Sequence, residues 1–304
     1  MGLLHILPML MLSNIKILHI EPTDACNAAC PQCARETDTT FNKNELHHLT
    51  VAQLANLIDE STIKNLDKVF MCGDYGDPAA GKHTLEIFKY LRSINPTLTL
   101  GMNTNGGLRS TKWWKELATI MYQVNDYPQE YVVWSIDGLE DTNHIYRVNT
   151  DWNKIIKNAT AFIQAGGLAH WEMLVFKHNE HQVEQAQQLA KDLGFKWFRA
   201  KISRRVEGIP VSFLQYPSGW ANPIVTKGAI ECSALKEKSL YISAKGYIHP
   251  CCWLGTTQYV LADFTDIQQS WETSTPNKTC ANTCTKNISG TSYTNQWQRE
   301  IEFK

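Results

Sequence analysis

From Ile15 onward the apolar positions switch repeatedly between two rhythms. Short runs at Lys16–Glu21, Lys68–Cys72, Leu98–Asn103, Tyr131–Ile136, His170–Phe176 and Lys196–Ile202 predict six buried strands. Between them, residues 50–59, 83–93, 111–122, 151–164 and 180–193 carry apolar side chains at helical spacing. Thr50 and Asp151 are suitable N-caps, and Gly166-Gly167 and Gly194 are suitable helix stops. Strand and helix alternating in this way predict an α/β fold. Its sheet is parallel with right-handed crossovers, open or curled into a partial barrel.

The rhythm changes after the sixth strand. Residues 203–230 contain Pro210, Pro217 and Pro223 with several Gly and Ser, which reads as a linker or loop excursion. Ser239–Ser243 and Tyr247–Pro250 flank Ala244-Lys245-Gly246 and predict a β-hairpin. Residues 268–287 are polar and turn-rich, and Thr294–Phe303 is expected to form a terminal helix. No internal repeat or low-complexity tract is present.

In parallel α/β folds the working residues sit on loops after the carboxyl ends of the strands. Five distinctive segments occupy those loops: Cys26-Asn-Ala-Ala-Cys30-Pro-Gln-Cys33, Gly73-Asp-Tyr-Gly-Asp-Pro78, Thr104-Asn-Gly-Gly107, Ser135-Ile-Asp-Gly138 and Lys177-His-Asn179. The first is the most informative. Its C-x3-C-x2-C spacing lets three thiolates converge on one soft metal centre. Three protein ligands instead of four leave one position open for a substrate or cofactor.

Charge and composition narrow the classes. A net charge of −1 offers no electrostatic footprint for nucleic acid or an anionic membrane. No run approaches the roughly 20 apolar residues of a spanning helix. The apolar start MGLLHILPMLML lacks a basic n-region and a small-residue cleavage site, so a cytoplasmic protein is expected, with Met11 an alternative start. Nine cysteines, at 26, 30, 33, 72, 232, 251, 252, 280 and 284, are many for such a chain. Their odd number and clustering toward both ends favour two metal sites, with disulfides the alternative.

Together these segments resemble the radical S-adenosylmethionine (radical SAM) enzymes, over nearly the whole chain. C-x3-C-x2-C after the first strand is that superfamily's signature, and Asn27 is a frequent companion. Tyr75-Gly76-Asp77-Pro78 is similar to the Gly-Gly-Glu-Pro segment that holds the SAM amino group. Ser135-Ile136-Asp137-Gly138 and Phe176-Lys177-His178-Asn179 resemble segments of the SPASM/Twitch branch, the former contacting the ribose. Cys232, Gly246 and Cys251 match the C-x(9–15)-G-x4-C opening of that branch's C-terminal extension. With Cys280 and Cys284 they suffice for one auxiliary cluster, as in a Twitch domain. Cys252 is the competing ligand to Cys251. There are departures: Gln32 stands where the family usually has an aromatic near the adenine, Asp77 replaces Glu, and Tyr75 replaces Gly.

The resemblance implies a partial (β/α)6 barrel over residues 1-205, a linker at 206-231 and a Twitch-like auxiliary-cluster domain at 232-304. It implies two [4Fe-4S] clusters, one on Cys26, Cys30 and Cys33, the other on Cys232, Cys251, Cys280 and Cys284. SAM would chelate the open iron of the first and be cleaved reductively to a 5′-deoxyadenosyl radical that abstracts a substrate hydrogen. Gln32, Tyr75, Gly76, Asp77, Pro78, Asn103, Asn105, Ser135 and Asp137 are then expected to face the cofactor. Arg147, Arg199 and Lys201 are candidate substrate contacts. Cys72 and the histidines are assigned to packing. An auxiliary cluster able to accept an electron would make the net reaction an oxidation; a rearrangement is the other outcome. The substrate is expected to be a small molecule or a peptide, because the 25 residues before Cys26 leave little room for a leader-binding domain. The electron donor would be a flavodoxin or ferredoxin. The alternative is a non-catalytic metal-binding protein with structural Zn on the C-terminal cysteines.

Overall fold

The computed structural model describes residues 15–121, 130–203, 214–220, 232–255, 280, 284 and 299–304. The six expected strands form as β1 (Ile17–Ile20), β2 (Lys68–Met71), β3 (Thr99–Thr104), β4 (Tyr131–Ser135), β5 (Ala169–Val175) and β6 (Trp197–Ile202). All pair in parallel, each with its sequence neighbour. The outer faces of these strands carry the core: Leu18, Ile20, Val69, Met71, Leu100, Met102, Val132, Trp134, Trp171 and Phe198 are buried against the helices.

The helices begin where their caps place them. Thr50 forms a reciprocal capping box with Gln53 at the start of α1 (Val51–Leu57). The helix expected over residues 50–59 ends at Leu57, and Asp59 caps a second, unanticipated helix, α2 (Glu60–Asn65). α3 (Thr84–Ile94) buries Leu85, Ile87, Phe88 and Leu91, the stripe its periodicity predicts. α4 (Thr111–Ile120) and α5 (Trp152–Gln164) follow, and Asp151 caps α5 by accepting from the Lys154 amide. Trp114, Trp134 and Phe162 pack where α4, β4 and α5 meet. α6 (Val183–Leu193) is preceded by a 3-10 turn, Glu180–Gln182, and ends at Gly194 in the left-handed region (φ 87°).

Past β6 the sheet grows at both ends. β7 (Ser239–Ile242) runs parallel to β1, and β8 (Ile248–His249) returns beside β7 as the expected hairpin. The expected terminal helix is not what the described part of that segment forms. Arg299–Glu302 is a strand, β9, antiparallel to β6. Arg-Glu-Ile-Glu alternates with period two, and the strand adds cross-strand pairs, Lys196 to Glu302 at 3.0 Å and Arg199 to Glu300 at 3.4 Å. Among the described residues the strands form one nine-stranded sheet, ordered β8-β7-β1-β2-β3-β4-β5-β6-β9.

The sheet is curled. On a flat sheet β2 and β6 would stand roughly 19 Å apart. Instead Cys72, just past β2, and Lys201 on β6 line one cavity of about 270 Å³. The Ser203 hydroxyl, just past β6, also donates to the Gln32 side chain at 2.6 Å. Strands β1 to β6 therefore form the partial barrel that six parallel units allow. Residues 214–220 bear on it too: Leu214 packs beside Tyr146 and Phe176, and the Gln215 carbonyl accepts from the Lys177 amide. The rest of the expected linker and most of the 268–287 stretch lie outside the described residues, as do the first fourteen residues. Among the described residues no helix is long and apolar enough to cross a membrane.

Candidate active site

The cavity opens at the carboxyl ends of the strands, with Cys26, Cys30 and Cys33 on one wall. The local fold follows from the loop's sequence. The Cys33 amide closes a turn onto the Cys30 carbonyl at 2.9 Å, and a single helical turn, Ala34–Thr37, starts directly after Cys33. Each thiol is addressed from a different strand's loop. Asn105 Nδ2, after β3, donates to Cys26 Sγ at 3.6 Å. Arg147, after β4, directs a guanidinium nitrogen at Cys30 Sγ, 3.7 Å away. The Cys33 thiol donates to the Asp74 carbonyl, after β2, at 3.6 Å.

Burial pushes the Cys26 thiol up to about 12, with the Asp77 charge adding to it. Burial also raises Cys30, opposed by Arg147. Both are neutral thiols without metal, so loading a cluster must expel their protons. Three thiols sharing one wall, with N–H groups from Asn105 and Arg147 turned toward two of them, fit an iron–sulfur cluster; N–H donors to sulfur are how proteins tune such centres.

The Gly73–Asp77 loop lines the cavity beside Cys33. Its backbone is held from beneath: the amides of Tyr75 and Gly76 donate to Glu21 Oε1 at 2.8 and 3.0 Å. Gly76 has to be glycine, since a Cβ there would lie 1.8 Å from the Thr23 carbonyl oxygen. The Tyr75 ring stacks on Phe41 at 4.4 Å, and its hydroxyl donates to Asp38 at 2.6 Å.

The expected site residues divide into two groups. Tyr75, Gly76, Asn103, Asn105, Ser135, Arg147 and Lys201 line the cavity. Asp77 also lines it, but its carboxylate is occupied by the Ala79 amide at 2.9 Å, the Thr104 hydroxyl at 2.9 Å and the Asn105 amide at 2.7 Å. It ties two loops together. The others sit behind. Asp137 is fully buried, accepting from the Leu174 amide and from Arg147 Nε, both at 2.6 Å, and so orients Arg147 toward Cys30. Burial raises its carboxyl and the Arg147 charge opposes the rise. Gln32 is buried outside the cavity lining, its side-chain oxygen accepting from the hydroxyl of Ser203. Pro78 begins a buried 3-10 turn. Arg199 is paired with Glu172 and Glu300 instead of facing the cavity.

Other residues enter unannounced. Cys72, assigned to packing, lines the cavity, as do Asp74, Tyr146, Leu174 and Ser203. Glu21 is the most informative omission. An acidic residue ending an otherwise apolar strand was a readable signal. A wider cleft lies at the opposite, amino ends of the strands, among Lys16, Asp67, Lys68, Lys236 and Lys238. It is distant from every one of the loops just described.

The C-terminal cysteines form a second group. Cys251 and Cys280 pack with Leu254 in a small buried cluster. Burial pushes Cys251 up to about 12, and the neighbouring Cys232 and Cys284 sulfurs push the same way. Burial raises the Cys252 thiol, with the Asp74, Cys251 and Cys72 charges adding to it.

Residues 20–190 match the family model of the radical SAM superfamily, more than half of the chain. The chain belongs to the radical SAM superfamily. Membership implies an enzyme that uses a [4Fe-4S] cluster and SAM in radical chemistry. The fold agrees with radical SAM structures at low identity. SuiB of Streptococcus suis bound to S-adenosylmethionine superposes with a TM-score of 0.60 at 15% identity, over 85% of this chain and 66% of that one. The anSMEcpe enzyme with bound AdoMet and a Cp18Cys peptide gives 0.53 at 15% identity, over 81% and 75%. The radical SAM chain described here thus spans just under two thirds of SuiB. No curated protein sequence matches it.

Proposed function

We propose that this radical SAM enzyme carries its SAM-binding cluster on Cys26, Cys30 and Cys33 and an auxiliary [4Fe-4S] cluster on Cys232, Cys251, Cys280 and Cys284. The net reaction is an oxidation of a peptide or small molecule. When bound, the first cluster supplies the electron that cleaves SAM and starts hydrogen abstraction. The chain's own residues do the positioning. Gly73–Gly76, Asn103 and Ser135 border the space for SAM, and Arg147, held by Asp137, sets a positive charge beside Cys30. Lys201, Ser203, Tyr146 and Leu174 line the same cavity, Tyr146 and Leu174 packing beside Cys30, and a substrate would meet them there.

The observation that carries the auxiliary site is the packing of Cys251 with Cys280 and Leu254, with the Cys232 and Cys284 sulfurs near enough to raise the Cys251 thiol. This favours Cys251 over Cys252 as ligand. Four thiolates close a coordination shell, leaving electron transfer or structure as the role. A peptide substrate is supported by the fold shared with SuiB, solved with its precursor peptide SuiA, and with peptide-bound anSMEcpe. Flavodoxin or ferredoxin is the expected reductant. Structural Zn on the C-terminal thiols is the competing reading, and iron analysis separates the two. Anaerobically reconstituted wild type should hold about eight irons, falling to about four in Cys280→Ala/Cys284→Ala. About four irons in both proteins, with zinc lost in the variant, would overturn the auxiliary cluster.

A further inference from the structure

We infer that Glu21 is a positioning residue that couples the C-terminal hairpin to the SAM-facing loop. Glu21 ends β1 and is 2% exposed, a carboxylate within the mouth of the barrel. One oxygen, Oε1, accepts from the consecutive amides of Tyr75 and Gly76 at 2.8 and 3.0 Å. The other, Oε2, accepts from the Tyr241 hydroxyl at 2.8 Å. Tyr241 lies on β7, paired in register beside β1, and the Glu21 amide donates to the Ile242 carbonyl at 2.8 Å. A single carboxylate therefore bridges a cofactor loop near residue 75 and a strand near residue 241.

The packing around this bridge is tight on both sides. A Cβ on Gly73 would lie 2.6 Å from Glu21 Oε1, so the loop sits directly on the carboxylate. A Cβ on Gly255, just past the Cys251-Cys252 turn, would lie 2.4 Å from the Tyr241 ring and 3.0 Å from Asp74 Oδ2. The segment bearing the second cysteine group thus presses on Tyr241 and on the cavity loop together. Two parallel amides aimed at one oxygen fix the orientation of the Tyr75–Gly76 peptide, and hence which backbone groups the loop offers to the cavity. Removing the Tyr241 hydroxyl leaves a buried oxygen unsatisfied and frees the carboxylate to turn. The hairpin then no longer governs the loop.

The inference rests on the reading of Gly73–Asp77 as the loop that holds SAM, and its test separates the two. The protein is reconstituted as wild type, Tyr241→Phe and Glu21→Ala, and two quantities are measured. One is amide exchange in the peptide covering residues 73–77; the other is equilibrium SAM binding, with cluster content and melting temperature as controls. Tyr241→Phe, which deletes one oxygen, should fold. It should exchange faster at residues 73–77 and bind SAM roughly tenfold more weakly, with Glu21→Ala weaker still. SAM should protect these amides in the wild type. Absence of that protection would overturn the loop reading and the inference with it. Protection in the wild type with unchanged SAM affinity in Tyr241→Phe would overturn the inference alone.

Discussion

The two cysteine groups of this chain stand in different settings. At the barrel mouth the three thiols are approached by polar groups from three separate loops: Asn105, Arg147 and the Asp74 carbonyl. They also pack beside Ala28, Tyr146 and Leu214, as Cys251 and Cys280 pack with Leu254 in the C-terminal group. The first group borders the cavity. None of the four C-terminal thiols lines it. A centre meant to take a ligand needs directed donors and space, whereas a fully ligated one needs only shielding. The contrast makes different predictions for the same substitution at each place.

Cys30→Ala is expected to have the largest effect. It removes one of the three ligands proposed for the SAM-binding cluster, and reductive SAM cleavage should fall by about a thousandfold or more, read as 5′-deoxyadenosine formed per enzyme. Cys280→Ala, in the C-terminal group, should leave that cleavage within about twofold while abolishing product formation. Equal losses in both variants would erase the distinction between the centres.

Arg147→Met separates positioning from ligation. It leaves the Asp137 carboxylate buried without its ion-pair partner, which costs about 3–5 kcal/mol. A clearly lowered melting temperature is expected, with measurable cluster assembly. An unchanged melting temperature would show that Asp137 is compensated elsewhere.

Proton release sharpens the same comparison. Cys26 and Cys251 are both raised to about 12 by burial, so each is protonated at neutral pH before metal arrives. Binding iron must displace those protons, so the affinity of the apoprotein should rise with pH and fall as pH drops. Iron uptake measured between about pH 6.5 and 8.5 should show this slope in the wild type, and a flat profile would contradict it.

Gln32→Ala should do least. It deletes the hydrogen bond from Ser203 that joins the cysteine loop to the end of β6, worth about 1 kcal/mol. Thermal unfolding should register that loss, and SAM affinity should hold. A strong loss of SAM binding would instead place Gln32 in contact with the cofactor.

Much of this was readable before any coordinates. The six strands and the Thr50 and Asp151 caps follow from local periodicity and from side chains bonding three residues away. The cysteine spacing is likewise local. What the sequence could not convey was the direction in which a loop side chain turns. Gln32 and Asp137 stand in cofactor motifs yet face inward, because their partners, Ser203 and the Leu174 amide, are brought to them by the curl of the sheet. Glu21 escaped notice for the same reason, since Tyr241 is distant in sequence. β9 was a different failure. Arg299–Glu302 alternates with period two, but its charged residues make sense only beside Arg199 on β6 and Lys196 just before it.

The central claim is that the three thiols at the barrel mouth hold the cluster that cleaves SAM. The most direct test is anaerobic reconstitution, reduction and addition of SAM, with 5′-deoxyadenosine quantified for the wild type and a Cys26→Ala/Cys30→Ala/Cys33→Ala variant. The wild type should form 5′-deoxyadenosine and methionine, and the variant should form neither. Equal formation by the two proteins, or none by a wild type with full iron content, would contradict the account.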